Sequence, residues 1–171
     1  GFSIELFLKS IRGKKAYIIS WTVAVLMYTV ATIALVSGLF TGWNYLNFGI
    51  FYFFGGITNV PAFGIGSAYL IFDKNKVNVV SGLYVLFVIG AAYSMFTSGI
   101  PDFSNINGIP EGRQLYEISG PRMWAILGNS FGSISLVGIA MYSIFKFRRV
   151  NEDLVTTNVL IVVGAFSPAL S

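Results

Sequence analysis

The chain has 171 residues, of which 55% are hydrophobic and only 11% charged. A soluble domain carries about a quarter charged residues, so this chain has little water-facing surface to cover. Its net charge is +4, with no histidine and no cysteine. That removes the commonest ligand of haem, copper, zinc and di-iron sites. It also removes any thiolate nucleophile, iron–sulfur cluster or disulfide. No catalytic residue, metal site or cofactor is expected.

Five mostly apolar runs fill nearly all of the chain: 16–40, 48–72, 77–98, 122–145 and 154–171. None carries Asp, Glu, Lys or Arg in its interior. A helix needs about 20 such residues to cross roughly 30 Å of hydrocarbon. A charge at bilayer centre costs at least ~2.5 kcal/mol on insertion scales. The expected fold is therefore all-α: a polytopic transmembrane helical bundle of five spans. The longest polar stretch is only 99–120, so residues 1–171 read as a single integral membrane domain.

In chain order, Ile4, Phe7, Leu8 and Ile11 come first, with Glu5, Lys9 and Arg12 on the opposite helical face. That pattern predicts an N-terminal amphipathic helix lying at the interface, or else the tail of an earlier span. The basic cluster follows these apolar residues, so the segment does not read as a cleaved signal. If the runs cross in turn, every basic residue except Arg113 and Arg122 falls on one side. This positive-inside bias predicts a cytoplasmic N-terminus and an extracytoplasmic loop at 99–120. The basic residues flank spans, so they orient the chain and do not point to nucleic acid.

The first run has Tyr17 and Trp21 near its inner end, followed by Trp43 and Tyr45 in the outer loop. With Trp124 near the outer end of the fourth run, these read as interfacial aromatic belts. Gly38-x-x-x-Gly42 ends the first run and Gly128-x-x-x-Gly132 lies within the fourth. Small residues at this spacing let helices approach closely. Both pairs are candidates for self-association or for contact with other membrane subunits, and the fourth span is expected to be the most buried.

The second run is interrupted by Gly55-Gly56-Ile57-Thr58-Asn59-Val60-Pro61. Pro61 cannot donate to Ile57 and its ring clashes with that carbonyl, so a kink is predicted. Thr58 and Asn59 are expected to satisfy the freed groups. At 1.5 Å per residue, Asn59 lies roughly 16 Å below the outer boundary and Asn129 roughly 10–12 Å. These two are expected to meet, with Ser130 or Ser133 nearby. Asn59, Pro61, Asn129 and Ser133 are thus the candidate ligand or packing residues. Asn158 and Asn78 mark a second polar level near the inner boundary.

The loop 99–120 carries turn signals at Ile100-Pro101-Asp102 and Asn107-Gly108. A short helix is expected within 110–118, and Ser119-Gly120-Pro121 reads as the start of the fourth helix. Arg122 in the first turn opposes the helix dipole, which costs a few tenths of a kcal/mol or more. Glu117, Asp102 or a lipid phosphate is expected to offset it. Arg113, Arg122 and Trp124 are therefore candidates for holding an anion or lipid headgroup.

Several stretches resemble a group of uncharacterised small polytopic membrane proteins of bacteria and archaea. They are Ser20-Trp21-Thr22-Val23-Ala24, Gly42-Trp43-Asn44, the run from Val60-Pro61 to Tyr69-Leu70, Asn129-Ser130-Phe131-Gly132-Ser133, and those from Leu136 to Ser143 and from Asn158 to Ala165. The resemblance implies a shared helical fold in the plasma membrane of a prokaryote and carries no catalytic residue onto this chain.

The expected function is that of a non-catalytic accessory subunit or scaffold in a larger membrane assembly. Its partners would be the lipid bilayer and other membrane subunits. A channel for a small neutral solute through the kinked second span is the alternative. A lipid- or quinone-binding enzyme relying on Arg113, Glu117 and Arg122 is the third reading.

Overall fold

The computed structural model describes residues 15–104, 106 and 108–147. The amphipathic helix expected near the N-terminus and the fifth span expected at 154–171 lie outside the described residues, as does Asn158.

The described chain is all-helical, with no strand, and four of its helices are long and apolar enough to cross a membrane. The first, α1, runs Ala16–Thr41 and stops where Gly42 takes φ +87°. The second long helix begins three residues after Gly42, because Asn44 and Asn47 form a reciprocal cap. The Asn44 side chain accepts the Leu46 and Asn47 amides, and the Asn47 side chain accepts the Asn44 amide at 2.8 Å. It runs as α2 (Tyr45–Ile50), a π-helical segment (Phe51–Thr58) and α3 (Asn59–Ile71). Asp73 then caps α4 (Lys74–Thr97) through the Asn75 and Lys76 amides. A loop holding the single-turn α5 (Gly112–Leu115) leads to α6 (Pro121–Phe147). Pro121 occupies the first helical position, where its missing N–H costs nothing.

Threonine hydroxyls inside α1 bond back to their own helix. Thr22 donates to the Ile18 carbonyl at 2.7 Å and Thr29 to that of Val25 at 2.8 Å. Such back-bonding satisfies a hydroxyl donor inside an apolar helix.

The core lies along the second long helix and not the fourth. Half (50%) of the apolar stretch of Tyr45–Ile71 is buried, against 22% for Pro121–Phe145 and 11% for Lys74–Thr97. The expectation that the fourth is most buried is therefore corrected. The reason is that glycines open two sides of the second helix while α6 offers only one narrow stripe. A Cβ on Gly55 would lie 3.1 Å from that of Ala31 in α1, and Gly66 is covered by the Trp21 ring. On the other side Gly64 meets Ser135, where a Cβ would stand 3.0 Å from that of the serine.

Candidate functional site

Proline 61 sets the centre of the bundle. It has no N–H, so the carbonyl that N–H would reach loses its donor: Ile57 at α-helical spacing, Gly56 at π-helical spacing. The helix responds by widening over Phe51–Thr58, a π segment of the kind often found at such interruptions. Within it the Thr58 hydroxyl donates to the Phe53 carbonyl at 3.0 Å, and the Asn59 amide donates to that of Phe54. Both bonds reach five residues back. There is no break, so the second helix is continuous from Tyr45 to Ile71.

Neighbouring helices donate to backbone carbonyls on both sides of the proline, one of them the Gly56 carbonyl that it leaves open. Asn129 Nδ2 of α6 donates to the Gly56 carbonyl at 2.7 Å and to its own helix at Ala125, 2.9 Å. The Tyr84 hydroxyl of α4 donates to the Thr58 carbonyl at 2.8 Å. The Ser20 hydroxyl of α1 donates to the Ala62 carbonyl at 2.9 Å. Three helices thus fasten to the backbone of the fourth within two turns of Pro61.

Close approach makes these bonds possible. A Cβ on Gly132 would lie 2.6 Å from the Val60 carbonyl carbon and 2.7 Å from Pro61 N. One on Gly128 would lie 2.6 Å from the Ile57 oxygen. Backbone touches backbone here, so only glycine fits. The Gly128/Gly132 pair therefore packs as a small-residue stripe, and its partner is this chain's own proline segment. Gly38 and Gly42 behave differently. Gly38 is covered by the Trp43 ring and Gly42 is a helix stop in open space.

Of the residues singled out from sequence, Pro61 and Asn129 come together, joined through Gly56. Asn59 is buried (6% exposed), but it does not meet Asn129, and its Oδ1 has no hydrogen-bond partner. Ser133 is exposed, and Ser135 occupies the packed position instead. Gly56, Tyr84 and Ser20 complete the arrangement. Gly56 was open to deduction by counting five residues back from Pro61, whereas a lone Tyr84 in an apolar helix carries no sequence signal.

At the loop end, aromatic rings form a clasp. Phe48 is fully buried and stacks on Tyr52 at 5.4 Å, with Phe103 at 5.6 Å and Tyr116 at 5.9 Å. Trp43 joins through Phe51 at 5.7 Å and donates its Nε1 to the Gly108 carbonyl at 2.8 Å. Trp43 therefore ties the loop down and does not stand apart as a belt residue. The Tyr52 ring lies so close to Gly112 that no side chain fits there.

The Tyr116 hydroxyl is buried without a partner. Burial pushes it up to about 12 from 10.0. The neighbouring Tyr45 and Tyr52 add to the shift, and Ser98, outside hydrogen-bond geometry, opposes it weakly. On the exposed side of the loop, Asp102 accepts the Ser104 amide at 2.9 Å, which holds its carboxyl below the usual value.

The three residues expected to hold an anion do not form one site. Arg113 pairs with Glu111 at the exposed loop surface. Arg122 is half-buried, within electrostatic range of Tyr52, and forms no ion pair with Glu117 or Asp102. Trp124 lies edge-on to Phe87 at 5.2 Å and covers Gly90. Among the described residues no group of His, Cys, Asp or Glu has the arrangement of a metal site.

No known family, curated protein or solved structure matches this chain.

Proposed function

We propose that the chain is a non-catalytic integral membrane protein that serves as an accessory subunit or scaffold of a larger membrane assembly. The observation that carries this reading is where the interior polar side chains go. Asn129, Tyr84 and Ser20 each end on a backbone carbonyl of the second long helix. They act as structural bonds, each worth about 0.6 kcal/mol in a membrane, so these three donors are already taken. The outward side agrees: α4 buries only Val77, Ala91 and Met95, which leaves a long apolar face for lipid or a neighbouring subunit.

We also propose the plasma membrane of a prokaryote, with Lys15, Lys74 and Lys76 on the cytoplasmic side and the loop 99–120 outside. The positive-inside bias supports this orientation. Purification in mild detergent tests the assembly reading: a stoichiometric protein partner retained through native gels and identified by mass spectrometry is expected. Purification as a bare monomer that turns over a lipid or quinone would overturn it.

One observation favours a second reading, a facilitator for a small neutral solute. Asn59 keeps a buried, unpartnered oxygen beside the proline. Solute flux into liposomes that is lost on Asn59→Leu would establish that reading.

A further inference from the structure

A crevice runs between α3, α4 and α6. Its lower part has a volume of about 350 Å³ and is walled by Phe72, Val77, Ile134 and Gly138, among others. Its upper part, about 250 Å³, reaches Pro61, Leu83 and Phe87. Val80 and Phe131 line both parts, so the two form one groove.

Three features describe what fits it. The first is length. Lys76 to Phe87 along α4 spans ~16 Å at 1.5 Å per residue, and half of a hydrocarbon core of roughly 30 Å is one leaflet. The second is charge. Among the described residues Lys76 is the only charged side chain on the walls; it lies at the helix end and pairs with no acidic residue among them. The third is Gly138. A glycine in a helix interior costs roughly 1 kcal/mol against alanine, and Gly128 and Gly132 offset this by backbone contact with the proline segment. Gly138 has no atom of the described residues within 4 Å of where its Cβ would be. It keeps the groove open without serving any packing among the described residues.

We propose that this groove binds one anionic phospholipid, its acyl chain along Val80 and Phe131 and its phosphate at Lys76. Basic pockets between membrane helices on the cytoplasmic side hold such headgroups. The site lies at the opposite end of the bundle from Arg113 and Arg122. It is independent of whether the protein is a subunit or a facilitator.

The test is native mass spectrometry of the full chain, delipidated in detergent and offered equal amounts of phosphatidylglycerol and phosphatidylcholine. One retained phosphatidylglycerol is expected in preference to phosphatidylcholine. Lys76→Gln should lower that preference about fivefold, the effect of one basic group near an anionic headgroup. Gly138→Leu should abolish both adducts while leaving helical circular dichroism unchanged and melting no lower. Equal retention of the two lipids by the wild type would overturn the proposal. So would adducts that survive Gly138→Leu. Displacement by glycerol phosphate would make the site one for a free anion. Loss of a dimer with Gly138→Leu, lipid adducts persisting, would assign the groove to a second copy.

Discussion

The proline staple at the centre of the bundle and the aromatic clasp at its loop end join helices by opposite means. At the staple, side chains are almost absent: glycine backbones touch, and single polar groups from three helices reach backbone carbonyls around Pro61. At the clasp, large rings fill the space around Phe48, and few hydrogen bonds are needed. In an apolar surrounding a helix gains little by burying more hydrocarbon, so close contact and backbone satisfaction must hold the centre. Toward water, ring burial again drives association. The two regions should therefore fail under different substitutions.

The largest effect is expected at the staple. Gly132→Val would force a branched side chain against the Val60–Pro61 backbone, and overpacking of this kind costs about 3 kcal/mol. The control is Gly138→Ala, which meets nothing and should be neutral or stabilise by up to ~1 kcal/mol. Denaturation in mixed micelles, followed by circular dichroism, separates the two. If both glycines tolerate substitution equally, the staple does not depend on contact.

At the clasp, Trp43→Ala removes a ring seated on Gly38 and the bond to Gly108, for a loss of about 3 kcal/mol. The loss should be confined to the loop. Limited proteolysis is expected to cut within 99–120 while the long helices stay intact. Cleavage spreading into α1 would mean that clasp and staple form one cooperative unit.

Smaller effects come from the hydrogen bonds. Asn129→Leu leaves the Gly56 carbonyl without a donor and should destabilise by about 1–2 kcal/mol. Tyr84→Phe should cost about 0.6 kcal/mol. A double-mutant cycle should show coupling, since both bonds hold one π segment.

The smallest effects depend on pH. The Tyr116 hydroxyl titrates near 12 in the folded loop and at 10.0 when freed. The folded form therefore holds its proton more tightly, and the contribution is fully present below pH 10 and lost as pH rises toward 12. Loop protease resistance should fall across that window, and Tyr116→Phe should flatten the fall without weakening the loop at neutral pH. Asp102 has the opposite sign. Its folded value lies below the ordinary 3.8, so its turn contributes above that pH and is lost as acid titrates the folded carboxylate.

Hydropathy located the four described long helices to within three residues at each end. The errors are instructive. The second and third helices start three residues before their apolar runs, at Tyr45 and Lys74, because Asn44 and Asp73 cap them from polar sequence. Apolarity marks where lipid can begin, and capping marks where a helix begins. The interruption at Pro61 was legible, as was the packing role of Gly128 and Gly132. The pairing of Asn129 was not. A side-chain amide satisfies a backbone carbonyl as well as another amide, and which one lies opposite depends on helix rotation that periodicity does not fix. Within the chain Gly38 meets no helix: a small residue accepts a ring folding back from Trp43 as readily as a neighbouring helix.

The most direct test of the account uses the absence of cysteine. Single cysteines at Asn75, Ile89 and Ser104 in intact cells can be treated with a membrane-impermeant maleimide. The account predicts labelling of position 104 from outside, of position 75 only after the cells are opened, and of position 89 from neither side. Labelling of 75 and 104 from the same side, or of 89 in sealed cells, would contradict helices that cross the bilayer.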